Sequence, residues 1–141
     1  MPPFRHLLTF VLVLLSTPLR AEEDVGRNLS VELNTARAVD GGCELSFLAF
    51  HGHSRDIGLA VFEAVIFDAD GQVERLTLLD FGALPAGRPR VRQFVLREAQ
   101  CDRIGKILIN GATDCDGGGL ENDACTKDLE LRSRTEIEVI G

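Results

Sequence analysis

The sequence IGLAVFEAVIFDADG, residues 57–71, decides the fold. Its first eleven residues are nearly all apolar and rich in Val, Ile and Phe, interrupted mainly by Glu63. A run of this length is also compatible with a buried helix, but its β-branched and aromatic residues favour a strand. Asp68-Ala69-Asp70-Gly71 is typical of a tight turn, because Asp bonds to its own backbone and Gly tolerates positive φ. We therefore expect a β-hairpin whose second strand runs from Val73 to Phe81.

The rest of the chain repeats this pattern of short strands and turns. Leu29, Val31 and Leu33 alternate with polar residues, which is typical of a half-buried strand. Further strands are expected in 43–50, 90–96, 104–109 and 129–140. About seven strands and no amphipathic helix predict an all-β fold, an immunoglobulin-like antiparallel β-sandwich. Because the chain has no Trp and no Tyr, it lacks the core Trp and the tyrosine corner of antibody-type domains.

Residues 1–21 have the parts of a cleavable signal peptide. Arg5 supplies the positive charge, Leu7 to Leu15 form the apolar region, and cleavage is expected after Ala21. The apolar run is shorter than the roughly 20 residues that span a hydrocarbon core, which disfavours an uncleaved anchor. The absence of a twin-arginine pair favours the Sec route. We expect one mature domain, residues 22–141, in the periplasm or secreted from the cell.

The charge of the mature domain excludes one class of partner. Cleavage removes Arg5 and Arg20, which leaves thirteen of the fifteen basic residues against twenty-two acidic ones, a net charge of −9. An acidic surface without a basic run repels phosphate groups, so we expect no nucleic-acid binding. We also expect no stable membrane span after signal cleavage.

The four cysteines, all beyond residue 40, fit the structural disulfides of an exported domain. Three connectivities exist for four cysteines. Cys115 and Cys125 flank a polar, glycine-rich loop that a short cross-link would close, whereas Cys43 and Cys101 each begin an apolar segment. We therefore favour the pairs Cys43–Cys101 and Cys115–Cys125. A redox dithiol is disfavoured because there is no C-x-x-C pair, and the wide spacing is poor for a zinc site.

The middle of the chain resembles a known kind of domain. The residues that carry this resemblance are Val61 to Val73, Leu84-Pro85-Ala86-Gly87 and Val91-Arg92-Gln93-Phe94. They are similar to the apolar strand, "DxxG" turn, "L-x-x-G" loop and "F" strand of the bacterial extracytoplasmic FxLYD-type domains. The mature chain with its cysteines also resembles a group of small uncharacterised exported proteins of alphaproteobacteria. The resemblance covers residues 43–112 best, implies an immunoglobulin-like sandwich, and transfers no catalytic residue.

An acidic loop near the C-terminus is a candidate metal site. The oxygen ligands that it offers are Asp114, Asp116, Glu121 and Asp123, around three consecutive glycines. Calcium takes six to eight oxygen ligands, and glycines let a loop wrap around a hard cation. The spacing differs from that of an EF-hand, and a solvated surface loop explains the same composition.

Two further clusters have both a binding and a structural interpretation. Arg88, Arg90 and Arg92 would share one face of a strand and form a positive stripe that docks an acidic partner or pairs with neighbouring carboxylates. His51 and His53 could ligate copper or zinc, although ordinary loop histidines fit the pattern as well.

No catalytic motif accompanies these clusters. The serines at 46, 54 and 133 lie in no G-x-S-x-G elbow, and Asp68 with Asp70 belongs to a turn. We therefore expect no enzyme and no cofactor. The leading hypothesis is a non-catalytic exported binding or adaptor module of the bacterial cell envelope that binds another envelope protein. The alternative is a calcium- or other metal-binding periplasmic protein that uses the 114–123 loop.

Overall fold

The computed structural model describes Met1 and residues 27–141, so the predicted signal peptide lies outside the described residues. Within them the chain forms eight strands and one short 3-10 helix, Cys101–Arg103. The strands are β1 (Leu29–Val39), β2 (Gly42–His51), β3 (Ile57–Asp68), β4 (Val73–Leu84), β5 (Arg90–Arg97), β6 (Ile104–Asp116), β7 (Glu130–Ser133) and β8 (Glu138–Ile140). The all-β prediction is therefore confirmed.

The strands form two four-stranded sheets that pack as a β-sandwich. One sheet, here called the β2 sheet, has the order β5-β2-β1-β7, and the other, the β3 sheet, has the order β4-β3-β6-β8. Neighbouring strands are antiparallel except for β1 with β7 and β6 with β8, which are parallel. The residues that decided the prediction thus form the interior strand β3, which pairs with β4 on one side and β6 on the other.

Four phenylalanines, two from each sheet, hold the sandwich together at its centre. Phe47 of β2 and Phe62 of β3 both approach Phe81 of β4 edge-on, at centroid distances of 5.7 Å and 5.6 Å. Phe94 of β5 lies 5.3 Å from the same ring. Edge-to-face aromatic pairs add roughly 0.5–1.5 kcal/mol each beyond the burial of their area. This cluster therefore forms the aromatic centre of the core.

The predicted turn between β3 and β4 is formed as expected. The carboxylate oxygen Oδ1 of Asp68 accepts hydrogen bonds from the backbone N–H groups of Asp70 and Gln72, both at 2.9 Å. Gly71 has a φ of 82°, a conformation that an L side chain rarely adopts. Asp68 is therefore a turn residue.

The last predicted strand differs from the structure, because residues 129–140 form two strands in different sheets. The hydroxyl of Ser133 accepts from the N–H of Thr135 at 3.1 Å, and the hydroxyl of Thr135 accepts from the N–H of Ile137 at 3.0 Å. Side chains that take backbone donors in this way compete with strand pairing. The ladder therefore stops after Ser133, the chain crosses between the sheets, and Val139 enters the core from the other side.

Two disulfides brace the sandwich in the pairing that the sequence favoured. Cys43–Cys101 ties β2 to the 3-10 helix with a Cα separation of 5.1 Å, and Cys115–Cys125 closes the loop after β6. Disulfides persist where the environment is oxidising, so the two bonds indicate a non-reducing, extracytoplasmic compartment. Among the described residues, no helix is long and apolar enough to cross a membrane.

Candidate functional site

Strand β3 is apolar on both of its faces. Its inward residues, among them Phe62 and Ile66, are fully buried in the core. The alternate residues point away from the core, and two of them, Val61 and Val65, are only 7 % and 8 % exposed because neighbouring side chains of the same face cover them. A strand apolar on both faces is typical of a sheet covered on both sides. In the described chain, the second side of β3 has no covering layer.

The apolar character continues across the whole outer face of the β3 sheet. Val65 lies opposite Leu76 of β4 and Leu108 of β6, and Leu108 in turn lies opposite Ile140 of β8. These four residues form one apolar row across all four strands. Directly paired side chains on a sheet face lie within contact distance of one another. The row is therefore a continuous surface.

Adjacent positions widen this surface. Phe67 lies opposite Val73, and Leu78 lies opposite Glu63 on the same face. The most exposed side chains are Leu76, Leu78 and Val73, at 59 %, 58 % and 56 %. We call the resulting surface the apolar face; its members are Val61, Val65, Phe67, Val73, Leu76, Leu78, Leu108 and Ile140.

The outer face of the β2 sheet is built differently. Arg37 of β1 forms an ion pair with Glu44 of β2 at 2.6 Å, and Gln93 of β5 donates to the hydroxyl of Ser46 at 3.0 Å. Val91 and Val95 are exposed there, but Gln93 separates them. Val91 lies opposite Leu48 of β2, but that row continues to Glu32 of β1 and Arg132 of β7. Charged and polar pairs thus interrupt this face, and an apolar row across all four strands is a feature of the β3 sheet.

One carboxylate lies in the middle of the apolar face. Glu63 is half-buried, and its Oε1 accepts a hydrogen bond from the side-chain amide of Asn110 at 2.6 Å. Acidic residues also occupy the rim, since Asp80 and Asp114 lie on either side of Val61 in the pairing register. Lys106, opposite Phe67, is paired with Glu138 at 3.8 Å, so the acidic groups remain in excess. The face therefore combines apolar side chains with net negative charge.

Two arginines close the edge of the sandwich where β4 and β5 meet. Arg92 of β5 donates from Nε to the carbonyl of Phe81 at 2.7 Å and from Nη2 to the carbonyl of Ala83 at 2.9 Å. Arg75 of β4 donates in the opposite direction, to the carbonyl of Arg97 at 2.7 Å. These bonds join the two sheets through backbone carbonyls of their edge strands, β4 and β5.

The predicted positive stripe is therefore divided in the structure. Arg92 uses its guanidinium to bind β4, whereas Arg90 donates only to the carbonyl of its neighbour Pro89, at 3.0 Å. Arg88 is exposed and lies in the loop before β5. A docking role for Arg88 and Arg90 stays a prediction.

The four carboxylates of the predicted metal site are exposed but lie on different parts of the chain. Asp114 and Asp116 belong to the end of β6, and Glu121 and Asp123 to the loop closed by Cys115–Cys125. Asp116 accepts a hydrogen bond from the N–H of Gly118 at 3.0 Å. Within the described residues, no group of three or more His, Cys, Asp or Glu side chains is placed to hold a metal ion. Calcium binding by this loop stays a prediction.

The two histidines bond to backbone carbonyls. His51 is buried, and its Nε2 lies 2.6 Å from the carbonyl of Leu84, while His53 Nε2 lies 3.0 Å from the carbonyl of Ala124. A carbonyl only accepts, so both Nε2 atoms carry a proton. His51 Nδ1 then accepts from the N–H of His53 at 3.3 Å. These bonds tie β2, β4 and the disulfide-closed loop together.

A cleft of about 690 Å³ opens beside His53 at this end of the sandwich. Its lining includes Asn28, Glu121, Asp123 and Lys127, so acidic, basic and amide groups are mixed. No charge of one sign dominates there, in contrast with the apolar face.

The sequence contains one signal for the apolar face, the missing alternation of polar residues in strand β3. Residues 57–67 lack the alternation of a half-exposed strand, because Val61 and Val65 stand where a sandwich with one core normally has polar residues. The contributions of Leu76, Leu108 and Ile140 depend on strand register, which the sequence pattern alone leaves open.

Comparison with known proteins adds no relative to these observations. No protein-family model, no curated protein and no solved structure matches the chain.

Proposed function

We propose that this protein is a non-catalytic binding or adaptor module of the bacterial cell envelope, and that it binds another envelope protein through the apolar face. The observation that carries the proposal is the exposure of Leu76, Leu78 and Val73 beside a continuous apolar row. Large contiguous apolar surfaces with a polar rim mark interaction sites on soluble proteins. A binding partner would supply the second cover that strand β3 lacks.

The energetics support this assignment. Full burial of a leucine side chain is worth about 1.5–3 kcal/mol. Leu76 and Leu78 are 59 % and 58 % exposed, so covering each of them contributes about 1–2 kcal/mol. The half-buried members of the row add to this sum.

The compartment in the proposal rests on two observations. The predicted Sec-type signal peptide at residues 1–21 directs the chain out of the cytoplasm, and the two disulfides fit an oxidising space. The mature domain would therefore meet its partner in the periplasm or outside the cell.

We also propose that the sandwich is immunoglobulin-like. The strand orders β5-β2-β1 and β4-β3-β6 agree with the orders E-B-A and C′-C-F in immunoglobulin-like sandwiches. Strands β7 and β8 depart from this scheme, because each is parallel to its neighbour. The resemblance of residues 43–112 to FxLYD-type domains points in the same direction.

Site-specific photocrosslinking in the native bacterium tests the binding role. A photoreactive amino acid at Leu78 should form a defined crosslinked product, and one at Val91 should form none. The control is matched, since both side chains are 58 % exposed but lie on the outer faces of different sheets.

The Leu76→Asp change is then combined with the photoreactive residue at Leu78. The product supports the proposal only if this combined variant no longer forms it. Equal products from both positions, or no product from Leu78, would contradict a role for the apolar face. Circular dichroism of each variant checks that the sandwich is still folded.

A further inference from the structure

We infer that the partner of the apolar face is an apolar protein segment that places a lysine or arginine side chain against Glu63. This inference rests on the proposed function and adds the chemistry of the partner to it. The apolar side chains set where the partner binds, and Glu63 selects which apolar segment is accepted.

The surroundings of Glu63 leave room for such a cation. On β3 it is flanked by Val61 and Val65, and across the sheet it lies opposite Leu78 and Gly111. Gly111 has no side chain, and apart from its chain neighbours Asn110 and Ala112 a Cβ built there would meet no atom within 4 Å. The structure therefore has an open notch beside the carboxylate.

The hydrogen bond to Glu63 leaves one oxygen of its carboxylate for a partner. Oε1 accepts from Asn110, and no described residue donates to Oε2. Asn110 therefore holds the carboxylate in one orientation, and Oε2 is available to a partner.

An apolar partner that covers this face also removes water from Glu63. A buried carboxylate without a partner is strongly unfavourable, whereas a charge-assisted hydrogen bond from Lys or Arg compensates for the lost hydration. A segment that is apolar throughout would therefore bind poorly. The carboxylate therefore weakens the binding of segments that lack a cation and strengthens the binding of segments that carry one.

Charge also argues against two other occupants. In a symmetric pair of copies, the central Glu63 residues would approach each other, with Asp80 and Asp114 adding further negative charge at the rim. An anionic lipid surface would meet the same acidic groups. A cationic protein segment has the charge that complements this face.

The size of the face fits a protein partner. Two strand spacings of about 4.8 Å across β4, β3 and β6 and the roughly 40 Å length of twelve-residue β3 give about 400 Å² in projection, to which the three-residue β8 adds little. Stable interfaces bury roughly 800 Å² per partner, counted as accessible area, which exceeds projected area. The outer face of the β3 sheet is thus large enough to form about half of such an interface or more.

Selection of random dodecapeptides from a displayed library, with the immobilised mature protein as target, tests the inference. Peptides that bind to the apolar face should contain Lys or Arg among apolar residues. Compared with the parent protein, the Leu78→Asp variant should bind these peptides at least tenfold more weakly and the Glu63→Gln variant about tenfold more weakly. The Val91→Asp variant should bind them with unchanged affinity.

Replacing the peptide's Lys or Arg with Gln should also lower affinity about tenfold on the parent protein. On the Glu63→Gln variant the same replacement should have little effect, because the two groups form one interaction. Circular dichroism melting curves of all variants separate lost binding from lost folding.

The outcomes distinguish the inference from the proposed function. If Leu78→Asp abolishes binding but Glu63→Gln has no effect, the inferred Lys or Arg against Glu63 is wrong, whereas the proposal that the apolar face binds a partner is still supported. If no selected peptide is sensitive to Leu78→Asp, both are wrong. A concentration-dependent dimer lost in Leu78→Asp on analytical ultracentrifugation, or binding to phosphatidylglycerol vesicles, would overturn the inference in favour of a second copy or a lipid.

Discussion

Replacing Arg92 with methionine tests whether the two edge strands are joined as described. The guanidinium donates two hydrogen bonds across the edge, to the carbonyls of Phe81 and Ala83. Methionine keeps most of the apolar stem and removes both donors. The free energy of unfolding should therefore fall, because the two sheets lose a direct link.

The expected size follows from the number and exposure of the bonds. A hydrogen bond that involves a charged group contributes about 1.5–3 kcal/mol. Arg92 is half-buried, and solvent can rehydrate the freed edge carbonyls, so we take about half of the sum for two bonds. The free energy of unfolding should drop by about 1.5–3 kcal/mol.

Urea unfolding followed by far-ultraviolet circular dichroism is a suitable assay, because the chain has neither Trp nor Tyr for fluorescence. With a slope of about 1.5 kcal/mol per molar urea, the midpoint should fall by about 1.5 M. The matched control is Arg90→Met, two residues away on the same strand face, where the side chain bonds only to Pro89. It should change the free energy of unfolding by less than about 0.5 kcal/mol.

Equal stability of the Arg92→Met and Arg90→Met variants would refute the assignment. The same result would return Arg92 to the group of surface arginines available for docking. A loss confined to Arg92→Met would instead leave only Arg88 and Arg90 for that role.

Three other variants test separate parts of the structure. The hydrogen bond from the Asn28 side chain is the largest cause that lowers the pKa of Glu130, so Asn28→Ala should raise that pKa toward its ordinary value in an NMR titration. In the parent protein, the lowered pKa stabilises the fold above the pKa of Glu130 in the unfolded chain, and this contribution disappears as the pH falls through the folded pKa; an unchanged titration would contradict the assignment. Replacing Cys115 and Cys125 together with serine opens a ten-residue loop and should lower the free energy of unfolding by about 3 kcal/mol, and a thermal melt like that of the parent would argue against the bond. Gly42→Ala places a Cβ against the backbone carbonyl oxygen of Leu96 in β5 and should lower the free energy of unfolding by about 2 kcal/mol or more; an unchanged urea midpoint would contradict this close approach.

The strands themselves were predictable, because their signals are local. Alternation at Leu29, Val31 and Leu33, and the turn that begins at Asp68, depend only on residues next to one another in the chain. The cysteine pairs followed from the positions of strands and loops. The break after Ser133 was missed, since hydroxyl groups within a strand-like pattern give no clear warning that they will bind the backbone.

The candidate site was much less accessible to prediction. Val61 and Val65 pointed to a second apolar side of β3, but nothing in the sequence said which residues of other strands would lie beside them. Arg90 and Arg92 share a strand face and a residue type, yet only one of them reaches the carbonyls of β4.

Local sequence thus accounts for the strands, the β3–β4 turn and the preference for two disulfides, because backbone preference and side-chain alternation act over a few residues. Strand order and register decide the rest, because they bring together residues that are distant in the chain. They align Leu76, Val65, Leu108 and Ile140 in one row. They also leave that row without a covering layer in the described chain, which turns an apolar strand into a candidate binding surface.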